Sequence, residues 1–286
     1  MSKNILVTGA SGFIGKYLVS ELMSLGHNIF SFSRSGGYNI CDPLAFNSFV
    51  DKDIDTVYHL AGSTYIPDSW VNPSEFYRTN TLGTQNVLEF CRKISAKIIY
   101  ISAYIYGVPK YLPINEEHPV RPNNPYAHSK WMGEEICRFY SQNYGIKSII
   151  LRPFNLYGEG QNNNFLIPFL LEQLKTGKII VKDDSPKRDY LHIKDFIKGC
   201  VSCLNYDKYN ITFNLGSGGS YSVLEVINMI TSVYSGNIEY LCRNEKRQNE
   251  IPDTVADCTL IKNELGWNPE ISFKEGLKNI LKNEII

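Results

Sequence analysis

The chain has 286 residues, 43% of them hydrophobic, 13% aromatic and 20% charged. That supports a sizeable core and excludes a disordered, collagenous or coiled-coil protein, and at about 150 residues per domain it corresponds to one large domain or two coupled ones. Lys and Arg number 29 against 29 Asp and Glu, so the basic excess or stripe of a nucleic-acid binder is absent and no such partner is expected.

The chain begins MSKNILVTG and enters a strand-like run, Asn4–Thr8, almost at once, so no signal peptide is expected. Thr8-Gly9-Ala10-Ser11-Gly12-Phe13-Ile14-Gly15 follows that run and opens the helical pattern Phe13–Leu25. Gly9 permits a tight turn, Gly12 a close backbone approach to a pyrophosphate, and Gly15 close packing of helix on strand. The helix N-terminus adds free N–H groups and the positive end of its dipole. A glycine pattern alone is weak, but between strand and helix in a βαβ unit it predicts a dinucleotide-binding turn rather than a purely structural one. The next strand-like run, Asn28–Ser33, leads into Ser33-Arg34-Ser35. An NAD site carries an acid there, about 20 residues on, for the ribose 2′-hydroxyl. An arginine can instead pair with a 2′-phosphate, so NADP(H) is favoured over NAD(H). The bland alternative is a solvated loop arginine.

Further strand-like runs at Thr56–Leu60, Lys97–Ser102 and Lys147–Leu151 alternate with helical patterns at Pro73–Arg92 and Pro125–Tyr144. The alternation implies an α/β fold, a Rossmann-type doubly wound parallel sheet with right-handed crossovers. After Gly158 the pattern loosens, with a helix expected from about Leu166. Residues 157–187 and 217–286 read as a smaller C-terminal α/β domain for substrate, and residues 1–156 with about 188–216 as the dinucleotide-binding domain. No apolar run approaches the roughly 18 residues needed to span a bilayer, and Phe165–Leu171 is broken by Pro168, so no membrane partner is expected. Cys200 and Cys203 have redox-motif spacing, yet Ile193, Phe196, Ile197, Cys200 and Leu204 recur at helical spacing and place both thiols in a core helix. Seven cysteines, an odd number, point to reduced thiols in a cytoplasm, and no metal site is expected.

In Pro125-Tyr126-Ala127-His128-Ser129-Lys130, Asn124 can cap a helix and Pro125 suits its first position. Tyr126 and Lys130 then share a face one turn apart. An ammonium beside a phenol favours the phenolate and brings a reference pKa of about 10 toward neutrality, making Tyr126 a candidate general acid/base. Taken alone, the pair is more often a surface contact. His128 lies between them, pointing elsewhere with nothing to pair with. His192 falls in a strand-like run and reads as packing, and Trp70, Trp131 and Trp267 as core or interface.

Together these segments resemble the extended short-chain dehydrogenase/reductase family, in its sugar-nucleotide branch of NAD-dependent epimerases and dehydratases. The resemblance runs through nearly the whole chain: TGASGFIG at 8–15, HLAG at 59–62, Asn80 with Gly83-Thr84-Gln85-Asn86, and ISAYIYG at 101–107. It continues with PYAHSK at 125–130, RPFNLYGEGQ at 152–161, RDYLHIKD at 188–195, NLGSG at 214–218 and LGWNP at 265–269. It implies that Tyr126 is the acid/base, that Lys130 holds the nicotinamide ribose and lowers the Tyr126 pKa, and that Ser102 hydrogen-bonds the reacting sugar oxygen. For the cofactor it implies Gly9, Ser11, Gly12, Phe13, Ile14 and Gly15 at the pyrophosphate and Ser33 and Arg34 at the ribose. Asn39 and Ile40 fall beside the adenine, where Asp is more usual than Asn. Leu60, Ala61, Gly62, Asn80 and Pro153 fall along the cofactor. Asn155, Arg188 and Arg247 match positions that hold a sugar nucleotide's phosphates. Thr64 and Ser69 match hexose contacts, and Tyr104 lies beside Ser102 in the substrate site. Asp195 and Asp257 fit motifs but read as structural. A homodimer is implied, through the helices beginning near Pro73 and Pro125.

The branch contains 4-epimerases, 4,6-dehydratases, 4-keto reductases and reductase-epimerases. The dehydratases place Asp or Ser followed by Glu just after the Ser/Thr, where this chain has Ala103 and Tyr104, so dehydration is not expected. The fucose-forming epimerase-reductases have Cys where Tyr104 stands, so 3,5-epimerisation is not expected either. What remains is reduction or epimerisation at C4. Arg34 favours NADPH-dependent reduction, and the segments HLAGSTYIP and GQNNNFLIP resemble those of bacterial NDP-4-keto-6-deoxyhexose reductases, which makes GDP-4-keto-6-deoxy-D-mannose the first candidate substrate. A UDP-hexose 4-epimerase with tightly bound NAD and a non-catalytic dinucleotide sensor are the alternatives. The intact Ser102, Tyr126 and Lys130 weigh against the sensor.

Overall fold

The structure, a computed structural model, describes residues 2–232, 234, 236–246 and 249–284. Strands β1 (Asn4–Thr8), β2 (Asn28–Phe32), β3 (Thr56–His59), β4 (Lys97–Ile101) and β5 (Ser148–Pro153) are followed by four short ones. These are β6 (Asn155–Tyr157), β7 (Lys178–Val181), β8 (Lys187–Arg188) and β9 (Tyr190–His192), and then come β10 (Ile211–Leu215), β11 (Tyr221–Ser222) and β12 (Glu239–Cys242). The helices are α1 (Phe13–Ser24), α2 (Ile66–Val71), α3 (Pro73–Tyr77), α4 (Gly83–Ile94) and α5 (Pro125–Tyr144). After them come α6 (Leu166–Lys175), α7 (Ile193–Ser202), α8 (Val223–Thr231), α9 (Thr259–Leu265) and α10 (Phe273–Glu284).

Six strands form one parallel sheet in the order β10-β5-β4-β3-β1-β2. Central strands such as β4, KIIYI, are buried along their whole length, as a sheet covered on both faces requires. Successive β1 residues part to opposite faces: Ile5 and Val7 pack with Leu18 of α1 and Phe196 of α7, while Leu6 packs with Val87 and Leu88 of α4 and Cys137 of α5. A third core joins α6, α8 and α10 around Leu170, Val226, Phe273 and Leu277. Ile261 and Trp267, from the stretch expected in the smaller unit, pack instead into the α1–α7 core. Cys200 and Cys203 are fully buried there as free thiols. Asp195 is a clamp, its Oδ2 accepting from Glu270 N at 3.0 Å and Ile271 N at 2.8 Å. Asp257 Oδ1 accepts from Thr259 N at the start of α9.

Because β1 pairs with β2 on one side and β3 on the other, the chain reverses its winding at β1. The loops leaving the carboxyl ends of β1 and β3 therefore diverge and open a crevice.

The single helix expected over Pro73–Arg92 is interrupted. A π-turn at Arg78–Leu82 separates α3 from α4. From the first turn of α4, Thr84 Oγ1 donates back to Asn80 O in the π-turn at 2.5 Å, a side-chain bond that competes with the helical ladder. Helix α2, six residues long, offers too little length for a readable period and was not expected. Among the described residues no helix is long and apolar enough to cross a membrane.

Candidate active site

A cavity of about 1960 Å³ lies over the carboxyl ends of β1, β3 and β4 and runs across to β7 and β12. Single-ligand pockets are typically about 300–1,000 Å³, so this one can hold two ligands end to end. Its floor at one end is the turn after β1. Gly9 has φ +72°, and a Cβ there would sit 2.8 Å from Ala61 N, while one at Gly15 would sit 2.2 Å from Gly9 O. Only glycines let the turn, the HLAG loop and α1 approach so closely, which is the cradle a dinucleotide needs. Ser11, Gly12, Phe13 and Ile14 share this wall.

The turn after β2 forms the adjoining rim. Ser33 Oγ accepts from Gly36 N at 3.2 Å and caps a short turn, leaving Arg34 exposed on the cavity with no ion pair among the described residues. Asn39 Oδ1 accepts from Cys41 N at 3.0 Å, and Ile40 is buried against Gly83. Leu60, Ala61, Gly62 and Pro153 also line the cavity.

Asn80 does not reach it. Fully buried, it accepts from Ser63 N at 2.8 Å and donates to Ser63 O and Ser129 Oγ, tying the β3 loop to α5 from behind the wall. The expected cofactor contact is thus corrected: the side chain's bonds are taken up inside the chain. Ser69 is likewise buried, its Oγ donating to Ile66 O at 2.6 Å within α2, and offers nothing to a hexose.

Ser102, Tyr126 and Lys130 converge on the cavity wall. Asn124 Oδ1 accepts from Ala127 N at 2.8 Å and Pro125 occupies the first helical turn, which fixes the start of α5 and hence the placing of Tyr126 and Lys130. Lys130 Nζ lies 4.3 Å from the centroid of the Tyr100 ring. Burial pulls the Lys130 ammonium down to about 8, against the opposing pull of Cys137 and Glu134. Burial pushes the Tyr126 phenol above its ordinary value, the reverse of the lowering expected from the Tyr/Lys spacing. Desolvation sets the direction, and the phenol is held in its proton-donating form. The Ser102 hydroxyl is buried with no hydrogen-bond partner among the described residues.

Behind this wall a buried chain links the strand ends. Thr84 Oγ1, already donating to Asn80 O, must accept from His59 Nε2 at 3.0 Å; His59 Nδ1 therefore accepts from Thr8 Oγ1 at 2.7 Å, and Thr8 Oγ1 accepts from Ala61 N. Burial, then the Lys130 charge, holds His59 well below its ordinary pKa. His128 is not without a partner, as Tyr77 OH lies 3.1 Å from its Nδ1.

At the other end Thr64, Tyr104, Asn155 and Arg188 line the cavity. The Tyr104 hydroxyl donates to Gly107 O at 2.7 Å, and burial pushes its pKa up. Arg188 is engaged by Glu250. Arg247 lies outside the described residues. The sequence reading missed Lys182 and Arg243, brought to the cavity by β7 and β12, and of the two readings of Trp70, core or interface, its 56% exposure at the mouth excludes the core. A lone cation after a weak strand gives no sequence signal. Among the described residues no group of His, Cys, Asp and Glu could hold a metal ion.

Residues 5–216 match the family described as the NAD dependent epimerase/dehydratase family. The chain is 29% identical to a Pseudomonas aeruginosa GDP-6-deoxy-D-mannose reductase, over 99% of this chain and 97% of that one. It is 30% identical to a Lactobacillus helveticus UDP-glucose 4-epimerase, over 93% and 92%. Among solved structures, RMD from Pseudomonas aeruginosa complexed with NADPH superposes with a TM-score of 0.91 at 28% identity, covering 99% of this chain and 98% of that one.

Proposed function

The chain belongs to the NAD dependent epimerase/dehydratase family, and from that premise we propose that it reduces the C4 keto group of an NDP-4-keto-6-deoxyhexose with NADPH. GDP-4-keto-6-deoxy-D-mannose is the first candidate. The observation that carries the reading is the wall beside Ser102. Its next two positions are Ala103, which has no ionisable group, and Tyr104, whose hydroxyl is tied to Gly107 O. Neither position therefore supplies the second acid and base that elimination requires, and proton delivery falls to Tyr126 at one oxygen.

When bound, the nicotinamide supplies the hydride. Tyr126, held as a neutral phenol, gives its proton to the oxygen forming at C4. Ser102, whose hydroxyl has no partner within the described chain, donates a hydrogen bond to that same oxygen. Lys130 holds the ribose from one turn further along α5. Arg34 takes the 2′-phosphate of the cofactor. The relatives support a nicotinamide dinucleotide and a nucleotide sugar, and the Pseudomonas reductase with its NADPH-bound neighbour supports this choice within them.

The test is a panel of NDP-4-keto-6-deoxyhexoses with NADPH. The reading requires stoichiometric loss of NADPH and a new secondary alcohol at C4. The relatives described as UDP-glucose 4-epimerases favour a second reading, 4-epimerisation with tightly bound NAD. Interconversion of UDP-glucose and UDP-galactose without cofactor consumption would establish it and sink the first.

A further inference from the structure

Tyr100, two residues before Ser102, lies fully buried in β4 on the sheet face that packs against α4 and α5. Its hydroxyl donates to Lys130 O at 3.3 Å, and a Cβ at Gly133 would sit 2.3 Å from that hydroxyl. Gly133 therefore lets α5 cross the ring closely, and the Lys130 ammonium comes to rest over the ring face, 4.3 Å from its centroid. Gly62, in the loop after β3, approaches the same ammonium: a Cβ there would sit 3.9 Å from Lys130 Nζ.

A second buried lysine shows what a desolvated ammonium ordinarily needs. Lys97 Nζ donates to Cys203 O at 2.7 Å, Tyr206 O at 2.9 Å and Leu204 O at 3.4 Å. Among the described residues Lys130 Nζ makes no hydrogen bond and no ion pair, and its polar contact is the ring. Glu134, one turn along α5, is taken up by Arg152 at 2.6 Å and Arg138 at 2.7 Å. The other titratable groups around the ammonium are neutral. Burial pushes up the Cys137 thiol and the Tyr126 phenol, both on α5, and the Tyr100 phenol on β4. His59 on β3, whose ring centroid lies 5.5 Å from that of Tyr100, is held unprotonated. What remains to offset the lost hydration is the negative face of the Tyr100 ring.

We propose that Tyr100 is a positioning residue for Lys130, its ring face holding the ammonium charged and directed at the cofactor ribose. A carboxylate partner would take up the N–H donors as well as the charge. A ring face stabilises the charge and leaves those donors for ribose hydroxyls. The proposal rests on the reading of Lys130 as the cation that holds the ribose.

Graded fluorination tests it. Tyr100→Phe, and then phenylalanines with one, two and three ring fluorines at the same position, weaken the ring face in steps at nearly constant volume, so the fold is kept. In protein carrying 13C-lysine and no cofactor, the Lys130 Cε resonance, assigned by its loss in Lys130→Arg, is followed against pH. Wild type and Tyr100→Phe should share a midpoint at about 8. The midpoint should fall with each fluorine, by about one pH unit or more over the series, the scale of a desolvated cation–π contact. The Lys97 resonance, whose ammonium is held by carbonyls, should stay in place. NADPH affinity should weaken in the same order at pH 8 and stay nearly level at pH 6. A midpoint that ignores fluorination overturns the assignment, and so does one that already moves in Tyr100→Phe, since the hydroxyl would then be responsible. A falling midpoint with unchanged NADPH affinity at pH 8 overturns the positioning role together with the reading of Lys130. If midpoint and affinity fall together while wild type reduces no 4-keto sugar, the assignment stands and the proposed reaction does not.

Discussion

Arg152 and Glu134 meet fork to fork behind Ser102: Nε lies 2.9 Å from Oε1 and Nη2 2.6 Å from Oε2, with side chains 3% and 0% exposed. Burial works against the Glu134 carboxylate, but the hydrogen bonds and charge of Arg152, then the charge of Arg138, carry its pKa below the usual range. Arg152 Nη1 also donates to Tyr106 OH, which donates to Asn214 Oδ1 at 2.6 Å, so the pair ties α5, β5 and the segment after β4 together. Removing Glu134 leaves the buried Arg152 charge without its carboxylate, which costs about 3–5 kcal/mol, whereas removing Arg152 leaves Glu134 still held by Arg138 Nη2 at 2.7 Å. Urea unfolding should therefore show a loss of that size for Glu134→Gln and a smaller one for Arg152→Met. The double substitution should lose less than the sum of the two, whereas strict additivity would mean that the pair is not coupled.

Tyr126→Phe removes a hydroxyl and nothing else. Turnover should drop by about 10²–10⁴, the range for a general acid or base, with NADPH affinity retained. Near-normal turnover in the purified variant would remove Tyr126 from the mechanism.

Arg34 stands exposed at the cavity rim with no ion pair among the described residues. Arg34→Ala should weaken NADPH by about 1.5–3 kcal/mol, the scale of a hydrogen bond to a charged group, and leave NADH almost untouched. Fluorescence titration with both cofactors reads this directly. Equal losses for the two, or a wild-type preference for NADH, would contradict the 2′-phosphate assignment.

His59 is fully buried and held neutral by burial and the Lys130 charge, with its folded pKa far below the ordinary 6.5. As pH falls below about 6.5 the unfolded chain takes up a proton that the folded chain refuses, so stability is present above that pH and declines below it. One such group gives a slope of up to about 1.4 kcal/mol per pH unit. Unfolding free energies measured between pH 7 and 5 should show this slope in wild type and a shallower one in His59→Gln. Equal slopes would assign the acid sensitivity elsewhere.

With Ala103 and Tyr104 in the positions that would carry the elimination acid and base, the protein should form no 4-keto-6-deoxy product from any NDP-hexose. Mass spectrometry of such a mixture checks it, and a product lighter by one water would overturn it.

Much of the sheet was legible because its strands carry a simple signal. Ile5–Thr8 and Thr56–Tyr58, within β1 and β3, are continuous apolar or β-branched runs, and the glycine turn adds mechanics that only one local geometry satisfies. The start of α5 was legible for the same reason, since Asn124 and Pro125 mark it chemically. What escaped depends on partners distant in sequence. That Asn80 turns inward is decided by Ser63 and Ser129, that Arg188 is matched is decided by Glu250, and that Tyr126 is raised is decided by the packing around it. Spacing along a helix reports which residues are neighbours. It does not report how much water is removed from them.

The π-turn at Arg78–Leu82 holds one residue more than an unbroken helix would need. Each residue advances an α-helix by about 100°, so an extra residue carried in a plain helix would turn α4 by that much against α3. Widened into the π-turn, the residue is absorbed, and α3, whose Phe76 ring meets Tyr126 edge-on, and α4, whose Val87, Leu88 and Cys91 face the sheet, keep their facing. Deleting a single residue there should leave a smoother helix with both halves still correctly turned. A one-residue gap in this stretch of a related chain would therefore mark the loss of the wide turn and not a differently oriented wall.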